Sequence, residues 1–387
     1  MKILVRTKLV HGLNNLIIIL AIASCATAPK PQPTPTPEPT AEPTPSPTPE
    51  PTVQPTPTPV PTPNVVPICF GTDRTIQSSA VSSPGEYFGN DRGEKVTYGT
   101  VEVTIPIDHR PGKIEKPAWW KLEFSPDKNK HFTLQHLGTM DKTDFFNTID
   151  RMAETGDSSA LVFIHGFNVT FQEAAFTTGQ FAYDLGYKGV PIFFSWPSQG
   201  KVEKYLVDQE DLNWAFQDIR NFLLDIIKRN SLDRIYLVAH SMGNRALTDA
   251  IIKIVTSDKS IKNKIKGIIL AAPDIDAEIF NEQIGPQLVS LGLRTTMYVS
   301  SRDKALAASR AIFSARRAGE IPPVVPIQGI DIVDASLIDD DFIGHGYVAN
   351  ERDVLDDIAY VIKGLPPEQR FGLKKITVAA GHYFQIQ

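Results

Sequence analysis

The chain has 387 residues, of which 42% are hydrophobic and 21% are charged, and its formal net charge at pH 7 is −5. This is ordinary globular composition, and the length is ample for a sizeable core. The composition gives no sign of a clustered basic face, so nucleic acid is not expected as a partner. The two cysteines are too few to predict a disulfide framework.

The first 24 residues have the pattern of a secretory signal. Three basic residues fall within the first eight positions, and an apolar run follows at residues 16–24. That run is too short to span a bilayer, which takes about 20 residues. A basic segment followed by a short apolar segment is typical of a signal peptide.

The apolar run closes on Ile22-Ala23-Ser24-Cys25, which resembles the lipobox of bacterial lipoproteins. The resemblance implies that Cys25 is lipidated, becomes the first mature residue and has the membrane as its partner. A plain signal peptide with an incidental cysteine is the alternative. The residue after the cysteine is Ala26 and not an aspartate. By the same resemblance, this favours the outer membrane and a domain facing the periplasm.

Residues 25–67 are expected to form a tether. More than half of the 31 prolines lie there, mostly in Pro-Thr repeats that hold the backbone near polyproline II. At about 3.1 Å per residue, some 40 residues reach roughly 120 Å. This favours a stiff spacer between lipid anchor and folded domain, with contact to the cell wall along it. A ligand for a proline-binding module is the alternative, and threonine glycosylation is left open.

Residues 68–387 alternate strand-like and helix-like runs, the signature of an α/β sheet. Continuous apolar strands with helices between them predict a mostly parallel sheet covered on both faces. Functional groups then gather at the carboxyl ends of the strands. The predicted strands are 96–107, 119–124, 160–164, 190–195, 235–239, 266–272, 295–300 and 330–333, and the predicted helices follow residues 170, 211, 241 and 352.

Residues 234–251 read RIYLVAHSMGNRALTDAI, an apolar run that stops at Ser241 and is followed at once by helix-forming sequence. A strand, a sharp turn of small residues carrying a serine, and a helix match the nucleophile elbow of serine hydrolases. Gly243 leaves room for close strand–helix packing, whereas Ala239 stands where glycine is usual. The alternative is that Ser241 caps the helix.

A serine nucleophile needs a base, and in this arrangement the chain order is serine, acid, histidine. His345 and His382 are the histidines that follow Ser241. His382 lies near the C-terminus in a stretch expected to fray. His345 lies in a glycine-flanked loop that lets backbone and ring approach another group closely, and we predict it as the base. A surface histidine in a flexible loop is the alternative.

Two strand ends offer a carboxylate that could orient the imidazole. Asp303 follows the strand predicted at 295–300, and Asp274 and Asp276 follow the preceding one. Helix capping is the alternative for each, since it is a common task of an Asp after a strand. We predict Asp303 as the acid and expect Asp274 to cap a helix, with Asp274 as the alternative acid.

The His-Gly-Phe sequence after the strand at 160–164 then has a role. In α/β-hydrolases one oxyanion-hole amide comes from such a loop and another from the residue after the nucleophile. Here these are the backbone N–H groups of Phe167 and Met242, which would point at developing negative charge.

Seven short motifs follow one another in order and span nearly all of residues 68–387. They are residues 70–74 (FGTDR), 163–168 (FIHGFN), 194–198 (FSWPS), 239–245 (AHSMGNR), 271–276 (AAPDID), 300–306 (SSRDKAL) and 344–347 (GHGY). On these motifs the chain resembles α/β-hydrolases, and more narrowly a bacterial family known only as α/β-hydrolases of unknown function. That family indicates no substrate.

These observations predict a secreted, lipid-anchored serine hydrolase, a carboxylesterase acting through an acyl-enzyme, with no metal or organic cofactor. About 18 residues separate Asp276 from the next strand, too few for a cap domain, so short or medium acyl esters are expected. A covering helix within 305–319 would narrow that pocket. The alternatives are a non-catalytic binding or scaffolding protein with a hydrolase fold, and an acyltransferase, thioesterase or peptidase that uses the same triad.

Overall fold

The computed structural model describes residues 62–77, 83–118, 123, 125–338 and 351–387. The strands are β1 (Asn64–Ile76), β2 (Phe88–Ile105), β3 (Thr133–Met140), β4 (Ser159–Ile164), β5 (Val190–Ser195), β6 (Arg234–His240), β7 (Ile265–Ala271), β8 (Thr295–Val299), β9 (Ile330–Asp334), β10 (Leu373–Val378) and β11 (Gly381–Ile386). The boundary predicted at residue 68 therefore lies inside β1.

The helices are α1 (Lys142–Thr155), α2 (Phe171–Asp184), α3 (Tyr205–Ile227), α4 (Gly243–Ser257), α5 (Ala277–Ile279), α6 (Gly285–Ser290), α7 (Lys304–Phe313) and α8 (Arg352–Ile362). A π-helical turn, Phe280–Ile284, joins α5 to α6. Short 3-10 turns span Pro84–Glu86, Val202–Lys204, Lys259–Lys264 and Pro367–Gln369. No helix in the described ranges is long and apolar enough to cross a bilayer.

The eleven strands of the described residues form one sheet in the order β10-β11-β9-β8-β7-β6-β4-β5-β1-β2-β3. The pairings from β1 through β5, β4, β6, β7, β8 and β9 to β11 are parallel. The antiparallel pairings of these strands, β1–β2, β2–β3 and β10–β11, lie at the two edges. The predicted architecture is confirmed: an α/β fold with a mostly parallel sheet and helices on both faces.

Side chains of the central strands alternate between two cores, one on each face of the sheet. Along β4, Val162 and Ile164 join the core beneath α1, α3 and α4, whereas Leu161 and Phe163 join the core beneath α2 and α8. A strand buried on both faces needs apolar side chains on each, which explains the continuous apolar run at residues 160–164.

The aligned carboxyl ends of three neighbouring strands decide where a site can form. His240 at the end of β6 pairs with Ala271 at the end of β7, which pairs with Tyr298 of β8. The segments that follow these strands therefore emerge at the same edge of the sheet, as expected for functional groups of a parallel sheet.

Several elements differ from the sequence-based expectation. The edge hairpin of β10 and β11 was not predicted, and His382 lies in β11 paired with Thr377 instead of in a frayed end. The long strand β1 and helix α1 were also not predicted. Most of the strand predicted at 119–124 lies outside the described residues.

Candidate active site

Ser241 occupies the sharp turn between β6 and α4. Its φ of 51° lies in the left-handed region, which a residue with a β-carbon adopts at a cost that its surroundings must offset. The residue is 3% exposed. A strained serine between a strand and a helix is the geometry that a nucleophile elbow requires.

Two glycines allow the backbone to close tightly around this turn. A β-carbon on Gly243 would lie 2.4 Å from the carbonyl oxygen of His165, and one on Gly166 would lie 2.8 Å from Cβ of Ser241. The first would push α4 off the end of β4, and the second would push the loop after β4 away from the serine. The role predicted for Gly243 in close packing is therefore confirmed.

The turn is braced by hydrogen bonds on both sides of Ser241. Its N–H donates to the carbonyl oxygen of Ala271 at 2.9 Å, and its own carbonyl accepts from the Asp274 N–H at 3.2 Å. Asn244, a buried residue to which sequence reasoning assigned no role, donates its Nδ2 to the carbonyls of Ser241 at 2.9 Å and Ala271 at 3.0 Å. This bracing holds the serine in its left-handed conformation.

The structure does not support the alternative in which Ser241 caps α4. The N-cap residue is Met242, and no side chain caps this helix. Within the described part of the chain, neither the Met242 N–H nor the Phe167 N–H makes a hydrogen bond. Both remain available as donors, as the predicted oxyanion hole needs.

The loop that carries Phe167 is fixed by polar contacts on its far side. The N–H of Asn168, which has a φ of 59°, donates to Asp208 Oδ2 at 3.0 Å. The Val169 N–H donates to Ser198 Oγ at 3.0 Å, and the Val169 carbonyl accepts from Arg74 Nη2 at 2.7 Å. The loop is therefore preorganised and cannot turn its N–H groups without breaking these bonds.

Arg74 is the centre of this support. It is 1% exposed, and burial lowers the pKa of its guanidinium to about 10, so it remains charged at neutral pH. Besides the Val169 carbonyl, it donates to Ser195 Oγ at 2.8 Å, Ser198 O at 2.9 Å, Asn90 Oδ1 at 3.0 Å and Gly89 O at 3.2 Å. One side chain thus ties the β2 edge, the end of β5 and the oxyanion loop together.

His165 lies beneath the loop, where its ring stacks on Trp196 with centroids 4.8 Å apart. Burial, reinforced by the charge of Arg74, holds the pKa of its imidazole well below the ordinary value, so the ring is neutral. Its Nδ1 lies 2.8 Å from the Gly166 carbonyl, and the Ser195 hydroxyl lies 3.3 Å from Nε2. These distances fit an Nδ1–H donor and an Nε2 acceptor, a structural role.

Asp303 and Asp276 both cap helices. Asp303 lies just beyond β8, is 3% exposed, and accepts the Leu306 N–H on Oδ1 at 2.9 Å. Asp276 accepts the first free N–H groups of α5. Because a carboxylate accepts several hydrogen bonds, the cap leaves Asp303 capable of orienting an imidazole.

The expectation that Asp274 caps a helix is wrong, because Asp276 takes that place. Asp274 is 1% exposed and its carboxylate has four partners. Oδ2 accepts from the Tyr205 hydroxyl and from Arg245 Nη2 at 3.1 Å. Oδ1 accepts from Ser309 Oγ at 2.7 Å and forms an ion pair with Arg317 at 3.4 Å. These contacts occupy both oxygens.

Asp274→Asn is therefore expected to lower the free energy of unfolding by about 3 kcal/mol, since it leaves two arginines without a buried counter-charge. Urea unfolding measures this change. Asp276→Asn is the matched control and should cost little, because asparagine caps a helix about as well as aspartate. If Asp274→Asn lowers the free energy of unfolding by less than about 1 kcal/mol, the ion cluster does not contribute the stability assigned to it.

His345 and Cys25 lie outside the described residues. In the chain His345 follows β9 and precedes α8, and Ser241 and Asp303 follow β6 and β8. Among the described residues, no group of three or more His, Cys, Asp or Glu side chains could hold a metal ion.

A family model described as an alpha/beta hydrolase of unknown function (DUF900) matches residues 141–363 of the chain. No curated protein sequence matches it significantly. The matched range contains β4 to β9 and every residue predicted for the catalytic site.

Solved structures with a similar fold are distant in sequence. A predicted CIB-like hydrolase from Thermoplasma acidophilum is 16% identical, with 59% of this chain and 91% of that chain covered and a TM-score of 0.31. Carboxylesterase CesB from Bacillus subtilis is 9% identical, with 54% and 85% covered and a TM-score of 0.30. Phospholipase PlaB from Legionella pneumophila is 12% identical, with 59% and 67% covered and a TM-score of 0.29. At these scores the matches carry no argument about substrate.

Proposed function

The chain belongs to the family of alpha/beta hydrolases of unknown function, and from this premise we propose that it is a serine hydrolase that cleaves carboxylic esters through an acyl-enzyme. The observation that carries the proposal is the left-handed Ser241 at the elbow, with the Gly166 backbone packed against it. Ser241 is buried, is held at a strained φ and does not cap the helix. Backbone strain of this kind is typical of functional sites, and at an elbow it positions a nucleophile.

In this mechanism the Ser241 hydroxyl oxygen adds to the ester carbonyl carbon while its proton passes to His345. The N–H groups of Phe167 and Met242 donate to the oxyanion that forms. When this tetrahedral intermediate collapses, the bond between the carbonyl carbon and the alcohol oxygen breaks. The alcohol leaves with the proton from His345. Water then adds to the acyl-enzyme by the same steps and releases the acid.

Asp303 is the proposed acid that orients His345 and stabilises its charged form. Two observations support it over Asp274. The Asp274 carboxylate already has four partners, two of them arginines. Asp303 follows β8, which lies beside β9, the strand that leads toward His345 in the chain.

The proposed substrates are esters with short or medium acyl groups. The segment between β7 and β8 forms only short helical turns, α5 to α6, and contains no cap domain. A covering helix was expected within 305–319, and α7 (Lys304–Phe313) overlaps the first part of that range. A pocket without a cap domain gives a long acyl chain little apolar surface to bury.

A panel of p-nitrophenyl esters of increasing acyl length tests this function. We expect kcat/KM to peak at short or medium acyl groups, with no rise when the substrate forms an oil interface. A preference for long chains at an interface would contradict the substrate class. Absence of turnover on every ester, thioester and amide offered would favour the non-catalytic alternative.

We also propose that the protein is anchored at the cell envelope through lipid on Cys25, with residues 1–24 as signal and residues 25–67 as tether. The support is the lipobox-like Ile22-Ala23-Ser24-Cys25 and the Pro-Thr repeats. A lipoprotein cysteine carries more than the two acyl chains that stable anchoring takes. The expected domain is residues 68–387, extended at its start by the first residues of β1.

Expressed in a bacterial host, the protein is expected to incorporate labelled palmitate and to sediment with membranes. Cys25→Ser should abolish both, because the thiol is the acylation site. Cys69→Ser is the matched control: Cys69 is a buried free cysteine in β1 and should not affect labelling. Equal palmitate incorporation by Cys25→Ser would refute the anchor.

A further inference from the structure

Two arginines beside the elbow meet at one buried carboxylate. Arg245 and Arg317 share the carboxylate of Asp274, while Tyr205 and Ser309 contribute neutral hydroxyls. A guanidinium carries five N–H donors, more than a shared carboxylate can satisfy. A buried donor left without an acceptor is unfavourable, so a ligand that supplies the acceptor is favoured there.

Arg317 has hydrogen-bond donors that no acceptor among the described residues satisfies. The residue is 4% exposed, and within the described chain its Nε and Nη2 make no hydrogen bond. The 3.4 Å approach of Nε to Asp274 Oδ1 is an ion pair without hydrogen-bond geometry. The guanidinium carbon lies 4.4 Å from the ring centroid of Phe313, a cation–π contact that uses none of the N–H donors.

The side chains of Arg245, Arg317 and Phe313 line a cavity of about 400 Å³, within the usual range for ligand sites. Arg245, Arg317 and Gln209 give it polar walls, and Ile275, Ile279, Phe313 and Ala315 give it apolar ones. The Gln209 amide oxygen is buried and has no partner among the residues that the structure describes. Asp276 also lines the cavity, but its carboxylate accepts two N–H groups of α5.

The cavity lies close to the proposed nucleophile. The Asp274 N–H donates to the Ser241 carbonyl at 3.2 Å, and the Asp274 carbonyl accepts from Arg245 Nε at 2.6 Å. The ring centroid of Tyr205 lies 4.9 Å from that of Phe167 in the oxyanion loop and 5.9 Å from that of Phe313 in the cavity wall. One aromatic ring therefore separates the cavity from the oxyanion loop.

We propose that this cavity is a substrate subsite for an anionic group, a carboxylate or a phosphate, carried by the ester that Ser241 cleaves. The inference rests on the proposed function and adds a substrate class to it. The planar edge of Arg317 matches an oxyanion that accepts two hydrogen bonds, and Arg245 adds a second positive charge at the same wall. The apolar walls accept the carbon chain that links the anion to the ester.

Matched ester series test the proposal. One series is the mono-p-nitrophenyl esters of dicarboxylic acids of increasing length, the second carries a terminal phosphonate, and the third carries a terminal carboxamide as neutral isostere. For the best chain length we expect kcat/KM to be about 10- to 100-fold higher for an anionic ester than for its carboxamide. The first two series distinguish carboxylate from phosphate recognition.

Arg317→Gln should bring this ratio close to one, because it removes the charge and the planar donor edge. The ratio within one variant cancels any general loss of activity or folding, and Arg317→Lys should restore part of it. Arg310→Gln is the matched control, since Arg310 is on the same segment, is half exposed and pairs with Glu320 outside the cavity. It should keep the ratio of the unsubstituted protein.

Calorimetric titration of Ser241→Ala with glutarate and with inorganic phosphate measures binding without turnover, so failure of the proposed function is told apart from failure of the subsite. Saturable binding that Arg317→Gln abolishes supports the subsite even if no ester is cleaved. A ratio near one in the unsubstituted protein overturns the substrate proposal, as does a high ratio that survives Arg317→Gln. If the protein neither binds these anions nor prefers the anionic ester, the proposal is also overturned.

Discussion

Ser241→Ala is expected to lower kcat on an activated ester by roughly four to six orders of magnitude while the protein stays folded. The serine supplies the oxygen of the acyl-enzyme, and without it only the oxyanion hole and substrate binding remain. His345→Ala should cost about as much. The double variant should lose little more, because the two groups act as one unit.

Asp303→Asn is expected to cost somewhat less than either, since it leaves the imidazole in the wrong tautomer without removing the nucleophile. Ser257→Ala at the other end of α4 is the control for the serine and should retain full activity, because the Ser257 hydroxyl donates to backbone carbonyls of its own helix. Full activity of Ser241→Ala in the same assay would refute the nucleophile assignment.

Arg74→Met is expected to lower the free energy of unfolding by about 4 kcal/mol. The substitution keeps most of the volume but leaves buried acceptors on Ser195, Ser198 and Val169 without their donor. Native stability is typically about 5–15 kcal/mol, so much of it would be lost. Urea unfolding followed by circular dichroism measures the change.

Arg74→Lys should recover only part of the loss, since an ammonium cannot reproduce the planar fork that reaches five acceptors. Arg352→Met is the control: this arginine is exposed, pairs with Asp356 one turn along α8, and should cost under about 0.5 kcal/mol. Comparable losses for the two methionine variants would contradict the support assigned to Arg74.

Elements with strong local signals were predicted well from the sequence. β4 to β7 have short, mostly apolar runs because both faces of the sheet are covered. The bounds of β4 to β9 agree with the predicted strands to within one residue. The elbow also has a strong local signal. The apolar run ending at Ala239, the serine at 241 and Gly243 at the start of α4 lie within one short stretch. Helix α7 has a local signal of the same kind, because the aspartate at its start, Asp303, caps it.

The supports of the site could not be read in this way, because they join residues far apart in the chain. Arg74 reaches Val169 across 95 positions, and Asp208 reaches Asn168 across 40. The one local signal was an Asp-Arg pair at the end of an apolar run, where charge inside a strand indicates a buried network.

Asp274 shows a related limit. Its position after a strand fits a helix cap, and only the folded chain brings Arg245, Arg317 and Tyr205 onto its carboxylate. The cap falls two residues later, at Asp276, because the chain pairs there with the segment at Arg317 before α5 begins. Sequence patterns locate a carboxylate at the edge of the sheet but do not choose its partners.

The central claim is that Ser241 is an activated nucleophile, and covalent labelling tests it most directly. The protein is incubated with a fluorophosphonate, digested, and the modified peptide is located by mass spectrometry. We predict one adduct per chain, on Ser241, which Ser241→Ala loses and Ser257→Ala keeps. An unlabelled folded protein, or an adduct on a different residue, would contradict the account.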